Sequence, residues 1–203
     1  MTFLLLGFFT GMSLILAIGA QNIFVIEQGL KKQFVFLVCI VCSISDFLLI
    51  FLGIFLFEFF ENFFSSSVEL ILNILLLMFL LHFIWNKINL KINNISLSKK
   101  KFKVSTYGIL IKTLGFTYLN PHVYSDTVFF LGNFSKDFLI IQKYYFGAGA
   151  SLASFLFFFL IGYLSKYFSK YLRDRKIWKI INLIIIIFMS LLSMMVLAEI
   201  INN

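Results

Sequence analysis

Long apolar blocks alternate with short polar or basic connections along the whole chain. Six blocks are long enough, or nearly so, to cross a bilayer, which takes about 20 helical residues. They cover about Phe3–Ile26, Phe34–Phe57, Val68–Trp85, Tyr107–Leu131, Tyr144–Ser165 and Ile180–Ala198. The third block is the shortest, and the fourth contains Lys112, Pro121 and Asp126. The pattern predicts an all-α integral membrane protein with six transmembrane helices.

Composition agrees with this class. The 203-residue chain is 61% apolar and 13% charged, whereas soluble domains carry roughly 25% charged residues. No basic residue precedes the first block, and the block is too long for the apolar region of a signal peptide. We therefore expect it to be a spanning helix.

The basic residues predict the orientation. The net charge is +8, and fourteen of the 17 basic residues lie in the connections after the first, third and fifth blocks. Lys136 and Lys143 lie in a connection on the other side. Because lysine and arginine mark the cytoplasmic side, we expect both termini to be periplasmic. The basic loops can also contact anionic membrane lipid, and their role in topology disfavours nucleic-acid binding.

The basic stretch 87–104 divides the chain into two halves of three helices, about 1–86 and 105–203. Two halves with an odd number of helices can repeat each other only in inverted orientation across the membrane. Inverted repeats are common in transporters, whose sites lie at the midplane between the halves. The sequence therefore predicts one transmembrane transporter domain, 1–203, built from two inverted three-helix repeats.

Each half opens with a helix that is interrupted by a polar run. The runs are Gly19-Ala20-Gln21-Asn22 and Leu119-Asn120-Pro121-His122. Pro121 is the single proline; it frees the carbonyl of Thr117 and breaks the helix. Paired interruptions of this kind indicate a solute site. The carboxamides of the two asparagines can donate and accept hydrogen bonds, although an asparagine beside a break can also simply cap a helix.

Two carboxylates lie inside apolar blocks. Asp46 lies near the centre of the second block, where an ionised group costs about 2.5–3.5 kcal/mol or more and usually faces a pathway. Helical spacing gives it a small, partly polar stripe, formed by Cys39, Ser43, Asp46, Ile50 and Gly53. Asp126 follows His122 by one turn if the helix resumes after Pro121. The structural alternatives are a protonated Asp46 bonded to a serine or carbonyl, and a His122 bonded to the loop.

Other motifs are better explained by packing. Cys39 and Cys42 have a C-x-x-C spacing, but they lack partner ligands and lie in an apolar block, so we expect buried thiols and no metal site. Small residues recur at four-residue spacing in Gly7/Gly11, Gly147/Ser151 and Ala150/Ser154. Such pairs bring helices close together, within one chain or between the copies of a homo-oligomer. No nucleophile is paired with a base, so the sequence predicts neither an enzyme nor a cofactor.

Taken together, several runs resemble the lysine/arginine exporter family of bacterial inner membranes. They are Gly19-Ala20-Gln21-Asn22, Gln28-Gly29, Ser45-Asp46, Leu119-Asn120-Pro121-His122-Val123-Tyr124-Ser125-Asp126-Thr127 and Ile181-Asn182. The resemblance covers nearly the whole length and implies export of basic L-amino acids driven by the membrane gradient. Family members typically have proline at the position of Ala20, so the break in the first helix rests here on Gly19.

The predicted activity is export of arginine or lysine in exchange for protons. Asp46 is the first candidate for the coupling carboxylate and Asp126 the second, with Asn22 and Asn120 binding the amino-acid backbone groups. Further candidates for the pathway are Gly19, Gln21, Ser43, Pro121 and His122. One alternative is a related exporter of neutral amino acids such as threonine or homoserine. Another is a passive channel, which would need rings of carbonyls or charges around a continuous pore.

Overall fold

The computed structural model describes residues 1–16, 19–63, 66–89, 105–170 and 175–202, which form helices without any β-strand. The helices are α1 (Thr2–Ile15), α2 (Ala20–Lys31), α3 (Val35–Phe63), α4 (Ser66–Asn89), α5 (Thr106–Tyr118), α6 (Pro121–Tyr124), α7 (Leu131–Ser135), α8 (Ile140–Phe168) and α9 (Arg175–Asn202). A π-helical segment, Ser125–Phe130, joins α6 to α7. The prediction of an all-α protein is confirmed for these ranges.

The helices that are long and apolar enough to cross a membrane lie in both halves. Within the described ranges there are three, over Val35–Phe57, Ile140–Phe168 and Leu183–Ile201. α1 and α2 make a fourth if they form one broken span, which is bent by 82° at the break. The apolar stretch Leu70–Trp85 of α4 is shorter. The chain is therefore a multi-pass membrane protein, and the count of six spans stays a prediction.

The helices of one half pack mainly on helices of the other. α1 and α2 pack on α8, α3 packs on α5, the π segment, α7 and α8, and α4 packs on α9. Glycines allow the closest approaches: a Cβ on Gly7 would lie 2.0 Å from the carbonyl oxygen of Phe146, and one on Gly11 would lie 2.9 Å from the Cα of Ala150. The Gly7/Gly11 pair thus serves packing within the chain.

One face of α3 is buried and the opposite face is exposed. Cys39, Ser43 and Asp46 are buried, whereas Ile44 and Phe47 are about half exposed, as expected for a lipid-facing surface. The small, partly polar stripe predicted from helical spacing therefore points into the protein. Hydrogen bonds also fix the start of this stripe, since Ser43 Oγ donates to the Cys39 carbonyl (2.8 Å) and Cys39 Sγ donates to the Phe158 carbonyl on α8 (3.2 Å).

Candidate solute cavity

The two helix breaks meet in the middle of the fold. α2 begins directly after Gly19, and α6 begins at Pro121. At the first position of a helix, the N–H that proline lacks would have no acceptor within the helix, so proline is tolerated there. A Cβ on Gly19 would lie 3.9 Å from Nδ2 of Asn120. The paired interruptions predicted from the sequence are therefore neighbours in space.

Local hydrogen bonds satisfy part of the backbone at both breaks. Asn22 Nδ2 donates to the Ile15 carbonyl at the end of α1 (3.1 Å). Asn120 Oδ1 accepts from the backbone N–H of His122 (3.1 Å) and so caps α6. Both asparagine side chains thus stabilise the backbone at the breaks. Asn120 caps a helix, which was the structural alternative to a binding role.

Tyr124 reaches back across the second break. Its hydroxyl donates to the Tyr118 carbonyl, 2.9 Å away, at the end of α5. A carbonyl that has lost its helical donor near a proline gains a partner in this way.

A cavity of about 380 Å³ lies beside the breaks, between helices of both halves. Ligand pockets typically measure roughly 300–1,000 Å³. Its walls are mostly apolar, with a few polar groups. The lining residues are Gly11, Leu14, Ile15, Gly19, Ala20, Gln21, Asn22, Asp46, Ile50, Leu76, Leu80, Asn120, His122, Val123, Asp126, Thr127, Leu131, Ala150, Ser154, Leu192, Met195 and Val196.

Asp46 lies in the wall of this cavity and is bonded across the two halves. Its Oδ2 accepts a hydrogen bond of 2.7 Å from Ser154 Oγ on α8, and the aspartate is 5% exposed. From the sequence, Ser154 was predicted only to be a small packing residue. Its position four residues after Ala150, which faces Gly11, was the signal that it points the same way.

Two acidic side chains, Asp126 and Glu199, lie near His122. His122 and Asp126 both line the cavity, and His122 Nε2 lies 3.4 Å from Glu199 Oε1 on α9. Glu199, which directly follows the last apolar block, was not predicted as a site residue from the sequence. Its signal is helical spacing, because Glu199 follows the lining residues Met195 and Val196 by one turn.

The remaining candidates divide between the cavity and its surroundings. Gly19 and Gln21 line it, and Gln21 is 7% exposed. Ser43 does not line it, since its hydroxyl bonds the preceding turn of α3. Pro121 begins α6, which carries His122, and Asp126 follows in the π-helical segment.

Basic side chains from two connections share one surface. Lys32, after α2, lies with Lys166 and Lys170, near the end of α8, around a shallow depression. Lys166 and Lys170 lie over the rings of Tyr163 and Tyr167, at 5.2 Å and 3.8 Å from the ring centres. These parts of the first and fifth connections thus lie on one side, as predicted, while the basic loop 90–104 lies outside the described residues.

Paired helix breaks around a mostly apolar cavity with a few polar groups, inside a bundle of apolar helices, are typical of a membrane transporter. The chain belongs to the LysE type translocator family, whose model matches residues 12–199. Its relatives include proteins named arginine exporter protein ArgO from Salmonella paratyphi A, Salmonella enteritidis PT4 and Salmonella typhimurium. Each is 31% identical over 194 residues, covering 95% of this chain and 92% of the relative. No solved structure matches the chain.

Proposed function

We propose that this chain exports basic L-amino acids, arginine or lysine, across the bacterial inner membrane in exchange for protons. The observation that carries the proposal is the cavity where two helix breaks meet, with Asp46 and Asp126 in walls that are otherwise mostly apolar. Membership of the LysE type translocators and similarity to proteins named arginine exporters support amino-acid export.

The lining suits a long cationic side chain. Apolar residues such as Ile15, Leu76 and Leu80 can contact methylene groups, while a carboxylate can bind the ammonium or guanidinium group at the end. None of the described lining residues is lysine or arginine. A buried carboxylate that faces no lysine or arginine among these residues needs either a proton or an external cation.

This requirement provides the coupling. Moving one positive charge outward against an inside-negative potential costs about 2.3 kcal/mol per 100 mV. A proton that moves inward for each exported cation cancels this electrical term, and the pH gradient then drives export. A carboxylate that binds the proton and the cation in turn exchanges one for the other. Asp46 is our first candidate because it is the more deeply buried, and Ser154 orients it.

Asp126 is the second candidate. It lines the same cavity one turn beyond His122, which pairs with Glu199. In this arrangement Asp126 binds the cationic group or carries the proton when Asp46 does not. Gly19 and Pro121 interrupt the helices, so that backbone N–H and C=O groups near these positions can face the solute.

We further propose six spans in two inverted repeats, 1–86 and 105–203, with both termini periplasmic. The packing supports a two-fold relation: the first helix of each half packs on the second helix of the other, and the second and third helices each pack on their counterparts. Rocking of the two halves would alternate access to the cavity. A reporter fused to the N-terminus should be periplasmic, and a cytoplasmic reporter would overturn this topology.

The transport proposal can be tested in everted membrane vesicles that contain the chain. An acidic lumen should drive saturable uptake of labelled arginine or lysine, and Asp46→Asn should reduce this pH-driven uptake at least tenfold. Asp137→Asn is the matched control, because Asp137 is an exposed carboxylate outside the cavity. Full pH-dependent uptake by Asp46→Asn would overturn the assignment of the coupling carboxylate.

The substrates distinguish the alternatives. Uptake of labelled threonine without arginine or lysine would identify an exporter of neutral amino acids. Flux that neither saturates nor depends on the gradient would identify a channel.

A further inference from the structure

The N-terminus of α2 opens onto the cavity. Helix α2 runs for 12 residues from Ala20, and its N-cap, Gly19, has extended backbone (φ −106°, ψ −177°) and provides no side-chain cap. Gly19, Ala20, Gln21 and Asn22 all line the cavity. The first N–H groups of a helix have no acceptor within it, and they carry the positive end of the helix dipole. Such an end favours an anionic group.

Gln21 independently points to the same kind of ligand. Its side chain is 7% exposed, and Nε2 makes no hydrogen bond of ordinary length among the residues that the structure describes, although the Asp46 carboxylate and the Cys42 thiol lie nearby. A buried amide donor without an acceptor is unfavourable, so an acceptor supplied by a bound solute would stabilise it.

The two asparagines at the breaks are engaged in the fold. Asn22 Nδ2 bonds the Ile15 carbonyl, and Asn120 Oδ1 caps α6. Their carboxamides are therefore less available for the amino-acid backbone than the sequence suggested. Among the described residues, the Gln21 carboxamide and the backbone N–H groups of Ala20 and Gln21 are the candidate donors that α2 itself places on this wall.

We propose that the N-terminus of α2 and the Gln21 carboxamide bind the carboxylate of the transported amino acid. The proposal rests on the proposed function and defines its substrates further. The cavity carboxylate Asp46 lies near Gln21, so the ammonium group of a zwitterion can reach it while the carboxylate bonds α2. The site accordingly selects solutes that carry a free carboxylate, and it rejects the corresponding amines and amides.

Binding to the purified full-length chain tests this directly. Arginine, argininamide and agmatine share the guanidinium group, but only arginine has a free carboxylate. Each is titrated by its effect on the unfolding temperature, which rises when a ligand binds the folded state. Arginine should bind at least tenfold more tightly than the other two, a difference of about 1.4 kcal/mol. Gln21→Ala should reduce this ratio below about threefold by weakening arginine and leaving agmatine unchanged.

Two further variants make the test specific. Gln28→Ala is the matched control, because Gln28 lies two turns further along α2, is also buried, and does not line the cavity; it should keep the wild-type ratio. Ala20→Pro introduces the residue that family members typically have here, at a helical position that tolerates proline; it leaves the Gln21 side chain and backbone N–H in place and should keep the preference for arginine.

Each outcome decides the proposal. Equal binding of agmatine and arginine by the wild type, or equal weakening of both by Gln21→Ala, overturns the carboxylate site and leaves the proposed function standing. If threonine binds and arginine does not, the proposed substrate is wrong, and threonine against threoninamide gives the deciding ratio. Binding of no amino acid would overturn both proposals.

Discussion

The contact between α1 and α8 predicts that one glycine-to-alanine change is strongly unfavourable. A Cβ on Gly149 would lie 2.0 Å from the carbonyl oxygen of Leu4 and 2.8 Å from the backbone nitrogen of Phe8. Both atoms belong to the backbone of α1, so neither can rotate aside. Because ordinary contact begins at 3.4 Å, the two helices must separate by as much as 1.4 Å at this point.

The expected cost follows from this distance. Overpacking a core costs about 1–3 kcal/mol, and an immovable backbone neighbour puts Gly149→Ala at the upper end. The higher helix propensity of alanine stabilises the helix by about 1 kcal/mol and offsets part of this cost. The net loss is therefore about 2 kcal/mol, which for a chain of this length lowers the unfolding temperature by roughly 4–8 °C. Transport should fall as well, because Gly11 and Ala150 in the same contact line the cavity.

Gly108→Ala is the matched control. The nearest atom to a Cβ on Gly108 is the Cβ of Ser105, at 3.9 Å, an ordinary contact. With no overpacking, the change should stabilise α5 by about 0.5 kcal/mol and raise the unfolding temperature by roughly 1–2 °C. Thermal unfolding of the two purified variants measures both shifts. Shifts of the same sign and size would refute the inferred approach of α1 and α8.

Three other changes test separate features of the fold and the cavity. Asn73→Leu should stabilise the protein by about 1–3 kcal/mol, because both polar atoms of this fully buried side chain lack partners in the described part of the chain; a lower unfolding temperature would contradict this. Tyr124→Phe should cost about 1 kcal/mol, since it removes the hydrogen bond to the Tyr118 carbonyl, and an unchanged unfolding temperature would contradict it. Glu199→Gln alters the partly exposed contact with His122, so stability should change by less than about 1 kcal/mol. Uptake of arginine should nevertheless fall more than uptake of threonine, and equal losses would exclude an electrostatic role.

The helices and their breaks could be predicted because they depend on local sequence. Apolar blocks of sufficient length can satisfy their backbone in a membrane only as helices or closed barrels, and Pro121 ends α5 for a steric reason. The first break was harder to predict, since Ala20 itself does not prevent a helix. It was identified from the polar run around Gly19 and from its place in the first half.

The partners of the predicted side chains could not be read from the sequence. Ser43 was grouped with Asp46 by helical spacing, but a serine inside a helix readily bonds the carbonyl one turn earlier, and Ser43 bonds that of Cys39. The serine that bonds Asp46 is Ser154, 108 residues away. Spacing shows which residues share a helix face but not which helices meet, so contacts such as His122 with Glu199 emerge only from the fold.

The distribution of charge connects the fold to the proposed transport cycle. The chain carries an excess of eight positive charges, yet the described walls of the cavity contain Asp46 and Asp126 and neither lysine nor arginine. Lys32, Lys166 and Lys170 lie instead at helix ends. An internal cation would neutralise Asp46 permanently and remove its need for a proton or a substrate. With neither lysine nor arginine among the described lining residues, the proposed cycle has proton and substrate compete for the same carboxylate, which is the requirement for exchange.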